Sequence, residues 1–173
     1  MDLRAQKTQK SIAEAFYRLR AHKPLEKITV RELCREAPVN RSTFYTYYKD
    51  VYDLSEQLEN ELVRSIVEGL PHPEAVLTDT ARFVQDLFRA CAPHPQLAVL
   101  FSGSRRGLLI ARFSAELKRL IFALYPERKG DPAFEVSLSF RIYGSYYAFL
   151  ENRQYGEDKV VEILGKLSSA APL

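Results

Sequence analysis

The run Thr29-Val30-Arg31-Glu32-Leu33-Cys34-Arg35-Glu36-Ala37-Pro38-Val39-Asn40-Arg41-Ser42-Thr43-Phe44-Tyr45-Thr46-Tyr47-Tyr48 reads as two short helices joined by a turn. Val30, Leu33, Cys34 and Ala37 keep the i, i+3, i+4, i+7 spacing that gathers side chains on one helix face. Thr29 stands just before them and Glu32 three residues on, a capping box that opens a helix. Pro38 ends it, because the residue before a proline is pushed out of the helical region. Asn40 offers a second N-cap, opening a helix from Arg41 to about Tyr47. There Phe44 and Tyr48, four apart, turn inward with Val39, and Arg41, Ser42 and Tyr45 fall on the outer face. Thr43, Thr46 and Tyr47 flank that face. These side chains reach base edges and phosphates, and no carboxylate interrupts them. A helix-turn-helix lays its second helix in the major groove while the first crosses the backbone. Thr29 and Arg31, at a helix start that favours anions, would then approach a phosphate strand.

On either side the same helical period continues, and no sustained alternation points to a sheet. Ile12, Ala15, Phe16 and Leu19 predict a helix over 7–21, and Asp50 caps a longer one carrying Val51, Leu54, Leu58, Leu62 and Ile66. Pro71-His72-Pro73, Pro93-His94-Pro95, Pro126 and Pro132 punctuate the remainder. Between them, helices are expected over 75–92, 96–102, 108–125, 133–152 and 157–168. The chain is thus expected to be all-α, about nine helices, with a helix-turn-helix domain over 1–50 and a helical domain over 51–173.

The 173 residues are 46% apolar and 27% charged, enough apolar content to bury a core and to exclude wholesale disorder. Residues 1–50 carry eleven Lys/Arg against six Asp/Glu, a balance of +5, and residues 51–173 carry fourteen against sixteen, a balance of −2. Positive charge gathers where a polyanion would be met. No run approaches the roughly 20 uncharged apolar residues that span a bilayer. The start, Met1-Asp2-Leu3-Arg4, lacks the apolar core of a secretory signal, so the expected location is the cytoplasm, with no membrane partner. Cys34 and Cys91 read as small buried hydrophobes. His22, His72 and His94 have no cysteine or carboxylate at metal-ligand spacing, so neither a metal nor a cofactor is expected. Ser104-Arg105-Arg106-Gly107 reads as a basic connection between helices. No nucleophile motif, glycine-rich phosphate loop or acid/base pair stands out, and an enzyme is not expected.

From Ile12 to Leu54 the chain resembles the DNA-binding domain of the tetracycline-repressor (TetR) family of bacterial regulators. The residues that carry the likeness are Ile12, Ala15-Phe16 and Leu19, then Ile28-Thr29-Val30-Arg31-Glu32-Leu33 and Ala37-Pro38-Val39-Asn40. Arg41-Ser42-Thr43-Phe44-Tyr45-Thr46-Tyr47-Tyr48-Lys49-Asp50 and Asp53-Leu54 complete it. The resemblance implies a homodimeric regulator with two heads on adjacent major grooves of a partly palindromic double-stranded DNA site. Carried over by position, it makes Thr29, Arg31, Arg41, Ser42, Thr43, Tyr45, Tyr47 and Lys49 the DNA contacts. It also implies a C-terminal part that dimerises and often holds a small-molecule effector. Two positions depart from the family pattern: Pro38 stands where the turn usually has glycine, and Val51 where a lysine usually opens the fourth helix. Since proline fixes φ and lacks an N–H, the turn is expected to find another backbone solution.

The 133–152 helix is apolar on two sides, one stripe through Val136, Phe140, Tyr143, Tyr147 and Leu150, the other through Leu138, Ile142, Tyr146 and Phe149. Such a helix must be buried twice. Gly144 and Ala148 form a small-residue strip on it, and the last helix adds Val160, Ile163, Leu164 and Leu167. With Phe140 and Tyr147, these residues are the expected interface of a four-helix bundle between two copies; burial within one chain is the competing account. Phe83, Leu87, Phe101, Phe113, Leu117 and Tyr143 are the expected lining of an effector pocket, and ordinary core packing explains them equally well. A protein–protein interaction module with weak DNA binding is the competing function.

Overall fold

The computed structural model describes residues 3–170, which leaves Met1 and Asp2 of the polar start outside it. Every regular element among the described residues is helical, as the all-α reading expects. The α-helices are α1 (Leu3–Arg20), α2 (Val30–Glu36), α3 (Arg41–Tyr47), α4 (Val51–Glu68), α5 (Ala75–Thr78), α6 (Thr80–Cys91), α7 (Gln96–Leu100), α8 (Leu108–Leu124), α9 (Pro132–Asn152) and α10 (Glu157–Ala170). These are ten rather than about nine, because the helix expected over 75–92 breaks at Asp79. Asp79 leaves helical geometry at φ −150° and ψ 77°, and its carboxylate accepts the Arg82 backbone N–H at 3.1 Å. An aspartate favours this capping role over a helix interior.

The chain forms two compact units. The first runs to Leu62 and includes Pro95–Arg106; the second comprises Val63–His94 and the chain from Gly107 onward. The first unit therefore extends past position 50 and recruits a segment remote in sequence.

Ile12, Ala15 and Phe16 of α1, Leu33 and Ala37 beside α2, Phe44 of α3, Leu54 of α4 and Leu100 of α7 are buried in the first unit. Polar bonds hold the remote segment in place. Glu59 is 0% exposed, and its two oxygens accept from Arg105 Nε at 2.8 Å and Nη2 at 2.6 Å. Ser55 Oγ adds a third bond to the same carboxylate at 2.7 Å. Arg20, also buried, donates to the carbonyls of Lys23 (2.9 Å), Val99 (3.1 Å) and Leu100 (3.3 Å) and to Ser102 Oγ (2.7 Å). Ser104 hydroxyl donates to Glu26. The connection expected to be merely basic is thus a clamp, with Arg105 as its paired cation.

In the second unit α10 lies on α6 and α9, and α8 lies on α9. Val160 and Leu164 join Val84 in a buried cluster flanked by Phe88, Ala148 and Phe149. The rings of Phe88 and Phe149 sit 4.5 Å apart. α10 comes close to α6 at Gly165, where a Cβ would lie 3.2 Å from both Cα and carbonyl oxygen of Ala81. On the exposed side of α9 are Val136, Phe140, Tyr143, Tyr147 and Leu150, and on α10 Ile163 and Leu167 are exposed as well. No described helix is long and apolar enough to cross a membrane.

Removing one partner of a buried ion pair strands the other charge, at a cost of about 3–5 kcal/mol. Glu59→Ala is expected to lower the unfolding free energy by about that amount. Replacing Glu59 and Arg105 together with leucine should recover most of it. Denaturant titrations of the two variants check this, and a single-variant loss below about 1 kcal/mol would show that the clamp contributes little.

Candidate nucleic-acid interface

Helix α3 has seven residues, too few to be stable alone, so its position comes from what it buries. Phe44 is fully buried and Tyr48 nearly so, their rings 5.5 Å apart. Burial, with Glu61 and Asp53 adding to it, pushes the Tyr48 phenol up to about 12, so it stays an uncharged anchor. The opposite face is open. Arg41, Ser42 and Thr46 are exposed, Tyr45 is 56% exposed, and Thr43 and Tyr47 are half-buried at the flanks. Thr29, Arg31 and Lys49 are exposed too. The structure thus brings all eight expected contact residues onto α3 and the two helix starts beside it.

The caps hold these elements in register. Thr29 hydroxyl accepts the Glu32 N–H at 3.2 Å, as the capping box requires. A hydrogen bond from Lys23, with a smaller one from the Thr29 backbone, holds the Glu32 carboxyl below its ordinary range. Asp50 accepts the Asp53 N–H at 2.8 Å, while Asp53 accepts the Lys49 N–H at 2.8 Å. Asn40 occupies the N-cap position of α3, but its side chain makes no capping bond; its carbonyl alone receives the Phe44 N–H, at 3.0 Å.

The turn between α2 and α3 does not find the alternative geometry expected of a proline. Pro38 takes the left-handed side at φ 21°, where glycine is at ease and where the proline ring, set near −65°, is strained. The Val39 N–H still bonds the Cys34 carbonyl at 3.1 Å, the outer bond of a Schellman motif. The inner bond, to the Arg35 carbonyl, needs an N–H that Pro38 lacks. Two α1 side chains brace the same helix end: Ser11 Oγ donates to the Ala37 carbonyl at 3.0 Å and Arg18 Nη2 to the Glu36 carbonyl at 3.2 Å. Ser11 and Arg18 escaped the sequence reading because nothing in local spacing links them to this turn. Beside it lies an open groove of about 460 Å³, lined by Leu3, Arg4, Lys7 and Ser11 of α1 and by Pro38 and Val39.

The remaining expected sites are placed less uniformly. Of the interface residues, Phe140, Gly144, Tyr147, Ile163 and Leu167 are exposed, whereas Val160 and Leu164 are buried under α6 and Ala148 is half-buried beside them. Helix α10 turns the Val160–Leu164 side inward, so those two belong to the chain's own core. The small-residue strip divides likewise: Gly144 has open space beside it, and the close helix approach is at Gly165. Of the pocket residues, Phe83, Phe113 and Leu117 are buried in the second unit, with Leu87 half-buried. Tyr143 lies on the exposed stripe of α9, and Phe101 is buried in the first unit. Cys34 is buried and Cys91 half-buried, both free, and burial pushes the Cys91 thiol up to about 12.

In fold the chain is similar to a TetR family transcription regulator from Marinobacter aquaeolei VT8, with a TM-score of 0.57 and 18% sequence identity. The match covers 99% of this chain and 98% of that one. No family model matches the sequence, and no curated protein does. The shared fold is the all-helical one that the resemblance over Ile12–Leu54 implies.

Replacing a loop proline by glycine ordinarily costs up to about 1 kcal/mol through the unfolded chain. Pro38→Gly is expected to do the opposite. It relieves strain of about 1–3 kcal/mol and restores the missing N–H donor. Chemical unfolding should show a net gain near 1 kcal/mol, and a loss of the ordinary size would mean that the turn is unstrained.

Proposed function

We propose that the chain is a homodimeric DNA-binding transcriptional regulator of the TetR type, acting as a repressor released by a small-molecule effector. The observation that carries this reading is the outer face of α3. Arg41, Ser42, Tyr45 and Thr46 point away from the core, and the helix contains no carboxylate. Thr29 and Arg31 at the α2 start and Lys49 after α3 extend the same polar and basic surface. In this reading α3 enters the major groove, Arg41 meets base edges, and Thr29, Arg31, Tyr47 and Lys49 meet phosphates. Lys7, exposed beside the turn, adds charge where a phosphate strand would pass.

Dimerisation is supported by the exposed apolar side of the second unit. Phe140 is 78% exposed and Leu167 65%, with Val136, Tyr147 and Ile163 near them in sequence and also exposed. Large apolar side chains left exposed along two helices in this way mark an interface. The two copies would carry their heads to half-sites about one helical turn apart. An effector would act by favouring a dimer whose heads no longer match that spacing. The protein would then work in the cytoplasm, without a catalytic step.

The strain at Pro38 favours one competing reading, a partner-binding module whose head grips DNA weakly. Selection of bound duplexes from a random pool by the purified protein separates the two. A two-fold symmetric enriched sequence, bound less tightly as salt is raised, supports the regulator; a folded dimer that enriches nothing supports the module.

Arg41→Ala is expected to weaken binding to the selected duplex by about 1–3 kcal/mol and to relax preference at one base pair of each half-site. Unchanged affinity and preference would remove Arg41 from the base-reading set. For the dimer, Phe140→Glu places a charge in the proposed interface and should give a monomer in sedimentation at micromolar concentration. A variant that stays dimeric would move the interface elsewhere.

A further inference from the structure

Arginines 20, 105 and 141 each sit wholly or partly out of water, but with different partners. Arg105 is paired with Glu59, and the terminal nitrogens of Arg20 are occupied by carbonyls and Ser102. Arg141 has neither arrangement. It stands on α9, three residues after Leu138 and seven after Phe134, both buried, and thus on the side turned away from the Val136–Phe140 stripe. Its Nη1 reaches Thr80 Oγ1 at the start of α6, at a long 3.4 Å, and the Thr80 hydroxyl itself donates to the Val76 carbonyl. Nη2 is buried with no hydrogen-bond partner. Burial pulls the guanidinium pKa down, and no carboxylate among the described residues offsets it. One helical turn beyond Thr80, on the same face of α6, stand the buried Phe83 and Val84.

A half-buried guanidinium whose inner terminal nitrogen has neither water nor partner is costly unless an anion completes it. The end of its fork matches a carboxylate, which takes two parallel N–H bonds. One guanidinium balances a single negative charge, and the buried Leu138 one turn before it on α9, with Phe83 and Val84 one turn beyond Thr80 on α6, favours an apolar body attached to that charge. Inorganic phosphate brings close to two charges and no such body. We infer that Arg141 anchors a site in the second unit for a small monocarboxylate with a hydrocarbon body, Thr80 standing beside the carboxylate. The inference deepens the regulator reading by giving its effector a chemical class, and rests on that reading only for the effect on DNA.

Its test needs no DNA. Thermal unfolding of the full chain is followed at constant ionic strength with hexanoate or benzoate, with hexanamide and benzamide as uncharged counterparts, and with inorganic phosphate. A ligand that binds only the folded state raises the midpoint in a saturable way. A rise of several degrees is expected with at least one of the two carboxylates, and none with the amides or phosphate. R141M removes a half-buried charge with an unpartnered nitrogen while keeping apolar bulk, so it should be at least as stable as the parent and lose the response. R141K keeps the charge without the fork, and its half-saturating concentration should rise about tenfold. Absence of a carboxylate response, an equal response to the amides or to phosphate, or an undiminished response in R141M would overturn the site. Should R141M fail to fold, an undiminished response in R141K would do so. A chain that passes this test and enriches no duplex fails the DNA reading alone; the reverse outcome fails only the carboxylate site.

Discussion

The first unit is closed by a carboxylate that has no water to turn to. Glu59 is 0% exposed, and in place of water Arg105 meets both of its oxygens while Ser55 adds a third bond. That requirement draws Pro95–Arg106 to α4 across 46 positions of sequence, and Arg20 then fixes the segment's backbone through Val99 and Leu100. Leu100 and Phe101 ride in on the same segment and are buried. Charge pairing sets the register, and apolar burial supplies the bulk of the stabilisation.

From that core follows the freedom of α3. A seven-residue helix is held by Phe44 and Tyr48 on one side, so its other side carries no packing duty. Arg41, Ser42, Tyr45 and Thr46 are therefore available without cost to the fold. The turn ahead of α3 is the opposite case, since Pro38 accepts a backbone angle that its ring resists. Ser11 and Arg18, reaching across from α1 to the last carbonyls of α2, hold that angle in place.

What was legible in the sequence is what local chemistry controls. Caps at Thr29 and Asp50, the stop at Pro38 and the inward pair Phe44 and Tyr48 all follow from spacing, and the structure keeps each of them. Asp79 was hidden because an apolar period on either side of it mimics one continuous helix. Glu59 and Arg105 were hidden because charge pairs across 46 positions leave no periodic trace. Helix α10 shows the limit most clearly. Val160 and Leu164 differ from Ile163 and Leu167 by a rotation about the helix axis, and all four are equally apolar. The packing of α10 against Val84 and Phe88 of α6, with the close approach at Gly165, accompanies the burial of Val160 and Leu164, and no local spacing shows it.

The same limit applies to charge. Arg20, Arg105 and Arg141 look alike in a sequence, each within a helical stretch or near its edge. Their roles separate only when partners are counted. Arg105 answers a buried carboxylate, and Arg20 answers the open carbonyls at the end of a five-residue helix. Both of those needs originate inside the chain. Arg141 answers no carboxylate among the described residues, and its long bond to Thr80 leaves the buried Nη2 without a partner. A fold that keeps such a group on the side of α9 that also carries the buried Phe134 and Leu138 holds a polar nitrogen there that core formation does not require.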